Sequence, residues 1–149
     1  MPVHNDRKLF EFLILEGAQA GLSWDTILAK RENYRKALHG FDFEKISKYK
    51  LKDKRRLLRN LGIVRNRAKI ESTVVNARGV LALEKEFGSF SRYVWGFASQ
   101  GAEALSKDLK KRGFNFVGPT IMYAFMQAVG MVNDHEKTCF RWRELNAKH

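Results

Sequence analysis

Leu57-Leu58-Arg59-Asn60-Leu61-Gly62-Ile63-Val64-Arg65-Asn66-Arg67-Ala68-Lys69-Ile70 decides how this chain folds. It reads as two helices meeting across a very short link, with Gly62 at the break. Leu58, Leu61, Ile63 and Ile70 are spaced to hold the pair together. Backbone N–H groups at the link and at the start of the second helix then face outward. Such groups are unsatisfied donors at the positive end of a helix dipole, and they bind phosphate well. Arg55, Arg56, Arg59, Arg65, Arg67 and Lys69 surround that spot. A helix–hairpin–helix grips a nucleic-acid backbone in this way without reading its sequence. An ordinary helical hairpin with a solvated basic face satisfies the same pattern.

Outward from this hairpin, helical spacing continues in both directions and no period-two strand interrupts it. Upstream, a helix over 6–20 has Leu9, Phe10, Leu13, Ile14 and Gly17 on its apolar face, and Gly21 stops it. Ser23 caps a second helix that carries Ile27, Leu28 and Leu38 and stops at Gly40. Asp42 caps a short third helix with Phe43 and Ile46 inward. The basic helix of the hairpin covers 52–61, and its partner covers 66–87 with Ile70, Val74, Ala77 and Leu81 in line. Shorter helices follow over 89–97 and 102–112, and Pro119 opens an apolar helix over 120–129. The fold class expected is all-α, one helical domain over 1–149.

Composition narrows the function. The chain has 149 residues and a formal charge of +12, an excess that suits a polyanionic partner. No apolar run approaches the roughly 18 residues of a membrane span, and no secretory signal precedes the first helix. No membrane partner is expected. Cys139 is the single cysteine, which excludes an internal disulfide and fits a reducing, cytoplasmic setting. A second basic group, Lys107, Lys110, Lys111 and Arg112, either extends the nucleic-acid surface or forms a solvated helix face.

Glu16 stands at the edge of the first helix's apolar face, in line with Leu9, Leu13 and Ala20. A carboxylate there needs a partner or a ligand. Gly17, Ala18, Ala20 and Gly21 leave room for one to approach, and Trp24 follows a turn later. An acid beside an indole suits a flat, cationic, hydrogen-bonding ligand. The alternative pairs Glu16 with a nearby arginine and buries Trp24 in the core. Tyr93 and Trp95 read as core aromatics or as DNA-facing. His135 and Cys139, four apart, form half of a Cys/His zinc pattern, and two ligands alone do not make a structural site.

Taken together, these stretches resemble the 3-methyladenine DNA glycosylase I family. The resemblance is carried by Leu15-Glu16-Gly17, Gln19-Ala20-Gly21-Leu22-Ser23-Trp24 and Lys30-Arg31-Glu32-Asn33-Tyr34-Arg35. Gly62-Ile63-Val64-Arg65-Asn66-Arg67, Leu105-Ser106-Lys107, Arg112-Gly113-Phe114, Phe116-Val117-Gly118 and Val132-Asn133-Asp134-His135 extend it along the chain. It implies a helix–hairpin–helix DNA glycosylase fold and monofunctional hydrolysis of the N-glycosidic bond of 3-methyladenine in alkylated double-stranded DNA, by base flipping in base excision repair. It implies Glu16 as the base-recognition and catalytic carboxylate, and Trp24 as the stacking indole. Gly62, Ile63, Arg65, Arg67 and Lys69 would hold the DNA backbone. It implies no organic cofactor, a monomer, and a nucleoid-associated location.

His135 and Cys139 match two of the family's four zinc ligands. The other two, with aromatic walls of the base pocket, belong to a family segment that would precede Met1, so the zinc site is expected to be a half site. The connection 97–102 is also shorter than the family's usual one. Two rival classes stand beside the enzyme: a catalytically impaired or lesion-sensing DNA-binding module, and a basic RNA-binding helical protein.

Overall fold

The structure is a computed structural model that describes residues 2–19 and 24–131. Among the described residues it has eight α-helices, one 3-10 turn and no strand. The helices are α1 (Asp6–Gln19), α2 (Trp24–Ala37), α3 (Phe43–Ser47), α4 (Leu51–Leu58), α5 (Arg67–Phe87), α6 (Phe90–Trp95), α7 (Ala102–Lys111) and α8 (Pro119–Ala128), with the 3-10 turn at His39–Phe41. The all-α expectation is met.

α1 is the axis of the molecule. Leu9, Phe10, Leu13, Ile14, Leu15 and Ala18 are all buried, so the helix is covered on most of its circumference. It packs against α2, α5, α6 and α8. α5 is the second axis, and it packs against α1, α3, α4 and α6. Ile70, Val74, Ala77, Val80 and Leu83 form its buried stripe. Leu81, expected in that stripe, is half-buried, because the three- and four-residue steps run from Ala77 to Val80 and on to Leu83.

Polar side chains fix the helix ends. Asp42 accepts from the N–H groups of Glu44 and Lys45, Asn66 from Lys69, and Ser89 from Arg92. Asp6 reaches across to α6, accepting from Phe90 N at 3.0 Å and Ser91 N at 2.8 Å, and so joins the start of α1 to another helix's N-terminus. Gly88, at φ +94°, closes α5.

Three further expectations need correction. The basic helix α4 ends at Leu58, short of Leu61, because the Asn60 side chain accepts from Gly62 N at 2.7 Å and turns the chain there. Leu61, expected inside the hairpin, is therefore 74% exposed. Leu28, expected on the buried face of α2, is 44% exposed.

Candidate functional site

Glu16 lies in the last turn of α1 and is only 5% exposed. No described residue donates a hydrogen bond to it. Burial pushes its carboxyl up from the usual 4.5 to about 7. The arginines that could have neutralised it pair elsewhere: Arg31 Nε sits 2.8 Å and Arg35 Nη2 3.0 Å from Glu11 Oε2. Glu11 and Glu16 are five residues apart, about 140° around the helix. One acid is thus satisfied by α2, while the other is left for something that is not an arginine. A buried acceptor without a donor costs stability, so its persistence points to a ligand. Trp24 opens α2. Its side chain lies outside the described residues, as do His135 and Cys139.

The wall beside Glu16 is built from three elements. Phe116, in the loop between α7 and α8, packs on Gly17, where an added Cβ would lie 3.4 Å from the Phe116 Cβ. The Lys69 ammonium donates to the Ala18 carbonyl at 3.0 Å and lies 5.9 Å from the centre of the Phe116 ring. Burial pulls the Lys69 ammonium below its usual value. Lys69 was expected on the DNA backbone, and its charged end is instead spent on α1 and Phe116. A cavity of about 20 Å³ lies behind this wall. It has room for roughly one water molecule and none for a purine.

Of the other residues expected on the backbone, Arg65 and Arg67 are exposed and Ile63 is buried. Gly62 is half-buried against α2, where an added Cβ would meet Asn33 at 2.9 Å. The α4–α5 hairpin uses part of its donor set internally. Gly62 N–H goes to Asn60, Val64 N–H to the Tyr34 hydroxyl at 3.1 Å, and Lys69 N–H to Asn66. The N–H groups of Ile63, Arg65, Arg67 and Ala68 reach no described acceptor.

A second loop has the same character. Between α7 and α8, Gly113 takes φ +93° and Phe114 and Val117 are buried. α8 has no side-chain cap, and Pro119 occupies its first turn. The N–H groups of Phe116, Val117, Gly118, Thr120 and Ile121 reach no described acceptor, and exposed Lys110 and Lys111 close the preceding helix. The signal was present in Gly118-Pro119-Thr120, since Pro at a helix start marks an uncapped positive end. Arg112 is not part of this surface: it pairs with Glu86 and Asp108 and lies over Phe87 and Tyr93.

Tyr93 and Trp95 are structural. The Tyr93 hydroxyl donates to Asp108 at 2.6 Å, and the Trp95 indole donates to the Val3 carbonyl at 2.8 Å. A tetrahedral zinc takes four ligands. Among the described residues no three His, Cys, Asp or Glu side chains gather to hold a metal. No helix among them is long and apolar enough to cross a membrane.

Known proteins resemble this chain in sequence and in fold. The methyladenine glycosylase family matches residues 1–142. DNA-3-methyladenine glycosylase 1 of Escherichia coli is 45% identical over 157 residues, covering 93% of this chain and 84% of that protein. The DNA-3-methyladenine glycosylase of Haemophilus influenzae is 45% identical over 156 residues with the same coverage. A crystal structure of 3-methyladenine DNA glycosylase I superposes with a TM-score of 0.85 at 47% identity, covering 90% of this chain and 84% of that one. A structure of the Staphylococcus aureus enzyme, solved to explain 3-methyladenine recognition, superposes with a TM-score of 0.83 at 37% identity, covering 88% and 79%.

Proposed function

Because the chain belongs to the methyladenine glycosylase family, we propose that Glu16 is the carboxylate with which it reads and helps expel the damaged base. The protein is a DNA repair glycosylase that releases 3-methyladenine from alkylated DNA. The single observation that supports the role of Glu16 is its burial without a cationic partner.

Methylation at N3 gives the adenine a positive charge while it is still attached to the sugar. The bond from the sugar C1′ to the base N9 breaks with its electron pair going to the base. The base leaves neutral, and the positive charge passes to the sugar. Little general acid is needed for such a leaving group. What the protein supplies is placement and an anion. The nucleotide leaves the stack, which costs less at a weakened lesion. Trp24 stacks on the extruded base, and Glu16 accepts from its exocyclic amino group, the only N–H donor the methylated base carries. The same carboxylate stabilises the cationic sugar as the bond lengthens. Water adds to C1′, loses a proton and leaves an abasic site. No lysine in the described site is aimed at C1′ chemistry, since Lys69 is committed to Ala18. The strand therefore stays intact after base release.

The backbone grip is assigned to two helix N-termini. α5 contributes its free N–H groups with Arg65 and Arg67, and α8 contributes its uncapped end with Lys110 and Lys111. This makes both hairpins, rather than α4–α5 alone, the helix–hairpin–helix surface. A structural zinc would take His135 and Cys139 as two of its four ligands. Metal analysis before and after chelation tests that, and zinc-free protein as isolated removes it.

The pH profile tests the role of Glu16. The free carboxyl titrates at about 7, and the anion is the working form. kcat/KM on methylated duplex should fall as pH drops through 7, and that limb should vanish in Glu16→Gln. An unchanged acid limb in Glu16→Gln would assign the titration to another group.

A further inference from the structure

Two side chains on one face of α5 reach out of the helix and hold the surroundings of Glu16. Lys69 and Asn76 are seven residues apart, two turns of helix, and so lie nearly in line. Ser72 and Thr73 between them turn their hydroxyls back to the Lys69 carbonyl, at 2.8 and 2.9 Å, and reach nothing beyond α5. Lys69 donates to the Ala18 carbonyl in the last turn of α1. α1 has no basic residue of its own in that turn, and the ammonium from α5 supplies the cation that its negative dipole end lacks.

Asn76 is 3% exposed and both ends of its amide are used on one residue. Nδ2 donates to the Asn115 carbonyl at 2.9 Å, and Asn115 N donates to Oδ1 at 2.9 Å. That reciprocal pair pins the residue before Phe116. Phe116 has φ +57°, a left-handed conformation that glycine adopts without cost and a phenylalanine does not. The sequence keeps a ring at a position where the backbone asks for glycine, so the ring is what the position is for. The Phe116 Cβ and carbonyl oxygen face Gly17, directly after Glu16, and the ring lies 5.9 Å from the Lys69 ammonium. Gly17, Ala18, Lys69, Asn76 and Phe116 all line the same small cavity behind the wall.

We propose that Lys69 and Asn76 are a positioning pair for Glu16. Asn76 holds Phe116 against the Glu16 turn, Lys69 holds the end of that turn, and together they set the base-reading carboxylate in register with the loop that leads into α8. Neither residue touches the substrate. The inference rests on the reading of Glu16 as the base-reading group.

The test is a double-mutant cycle on the full chain, read as affinity for free 3-methyladenine by tryptophan fluorescence. Asn76→Ala should weaken binding ~10-fold in the parent, because sites loosened by an ångström lose most of their advantage. In a Glu16→Gln background the same change should cost no more than ~2-fold, since a residue acting through Glu16 has nothing left to position. Lys69→Met should reproduce the loss, and Lys69→Arg, which still donates to Ala18, should recover most of it. If Asn76→Ala fails to fold, the Lys69 pair in both backgrounds carries the test. Equal losses in both backgrounds, or no loss in either, would overturn the positioning role. Unchanged base affinity in Glu16→Gln itself would instead remove the reading of Glu16, and this inference with it.

Discussion

Glu16 carries a measurable stability signature apart from catalysis. Its carboxyl stands at about 7 in the folded chain against 4.5 when solvated. Below 4.5 it is neutral in both states; above 7 it is ionised in both, and the folded state bears a buried, unpaired charge. Unfolding therefore releases a proton between those limits, and stability falls as pH rises through them. At about 1.4 kcal/mol per unit, the difference is on the order of 3 kcal/mol. Glu16→Gln should match the parent near pH 4.5 and become more stable than it towards pH 8, by urea denaturation at each pH. A parallel pH dependence in the two proteins would mean that Glu16 is solvated or paired. The candidate acid was legible because a carboxylate in line with leucines, among small residues, is out of place in a core stripe. Its isolation was not legible, because nothing in the spacing said that Arg31 and Arg35 would choose Glu11.

At the scale of elements, close approach governs. Gly79 on α5 faces Phe114, and an added Cβ would lie 2.5 Å from two ring carbons. Gly79→Ala should destabilise the protein by about 1–3 kcal/mol through overpacking, seen as a lower Tm with unchanged helix content. Gly62→Ala meets Asn33 along its length, Cγ and Nδ2 at 2.9 Å and the backbone-fixed Cβ at 3.0 Å, and should also destabilise the protein. Helix existence was readable throughout, since Asp42, Asn66, Ser89 and Pro119 sit where caps and first turns belong. Where reading failed, a tertiary or local bond decided. Asn60 ended α4 before Leu61, and the inward turn of Lys69 depended on a carbonyl 51 residues away. The α7–α8 loop is legible only in part, because its basic residues fit a nucleic-acid surface and a solvated helix face equally, while its donors are backbone groups that have no letter in the sequence.

Across the whole molecule, the +12 charge is the widest determinant of DNA binding. Neutralising several phosphates releases counterions, so affinity for undamaged duplex should fall by ~100-fold or more between 50 and 200 mM salt. Removing Lys110 or Lys111 by alanine should each reduce the salt slope by about one phosphate, as should Arg65→Ala. Arg112→Ala should leave the slope unchanged and lower Tm, because its guanidinium is spent on Glu86 and Asp108. A reduced slope in Arg112→Ala, with Lys110 and Lys111 silent, would place the second grip elsewhere. One buried, unpaired carboxylate turns this basic helical scaffold into a base-releasing enzyme. The most direct measurement is release of free 3-methyladenine from methylated duplex DNA by the parent and by Glu16→Gln, with undamaged-duplex affinity measured on both. Release by the parent, a loss of about 100-fold in the variant and equal duplex affinity are expected. Parental rates of release in Glu16→Gln would contradict that role of the carboxylate.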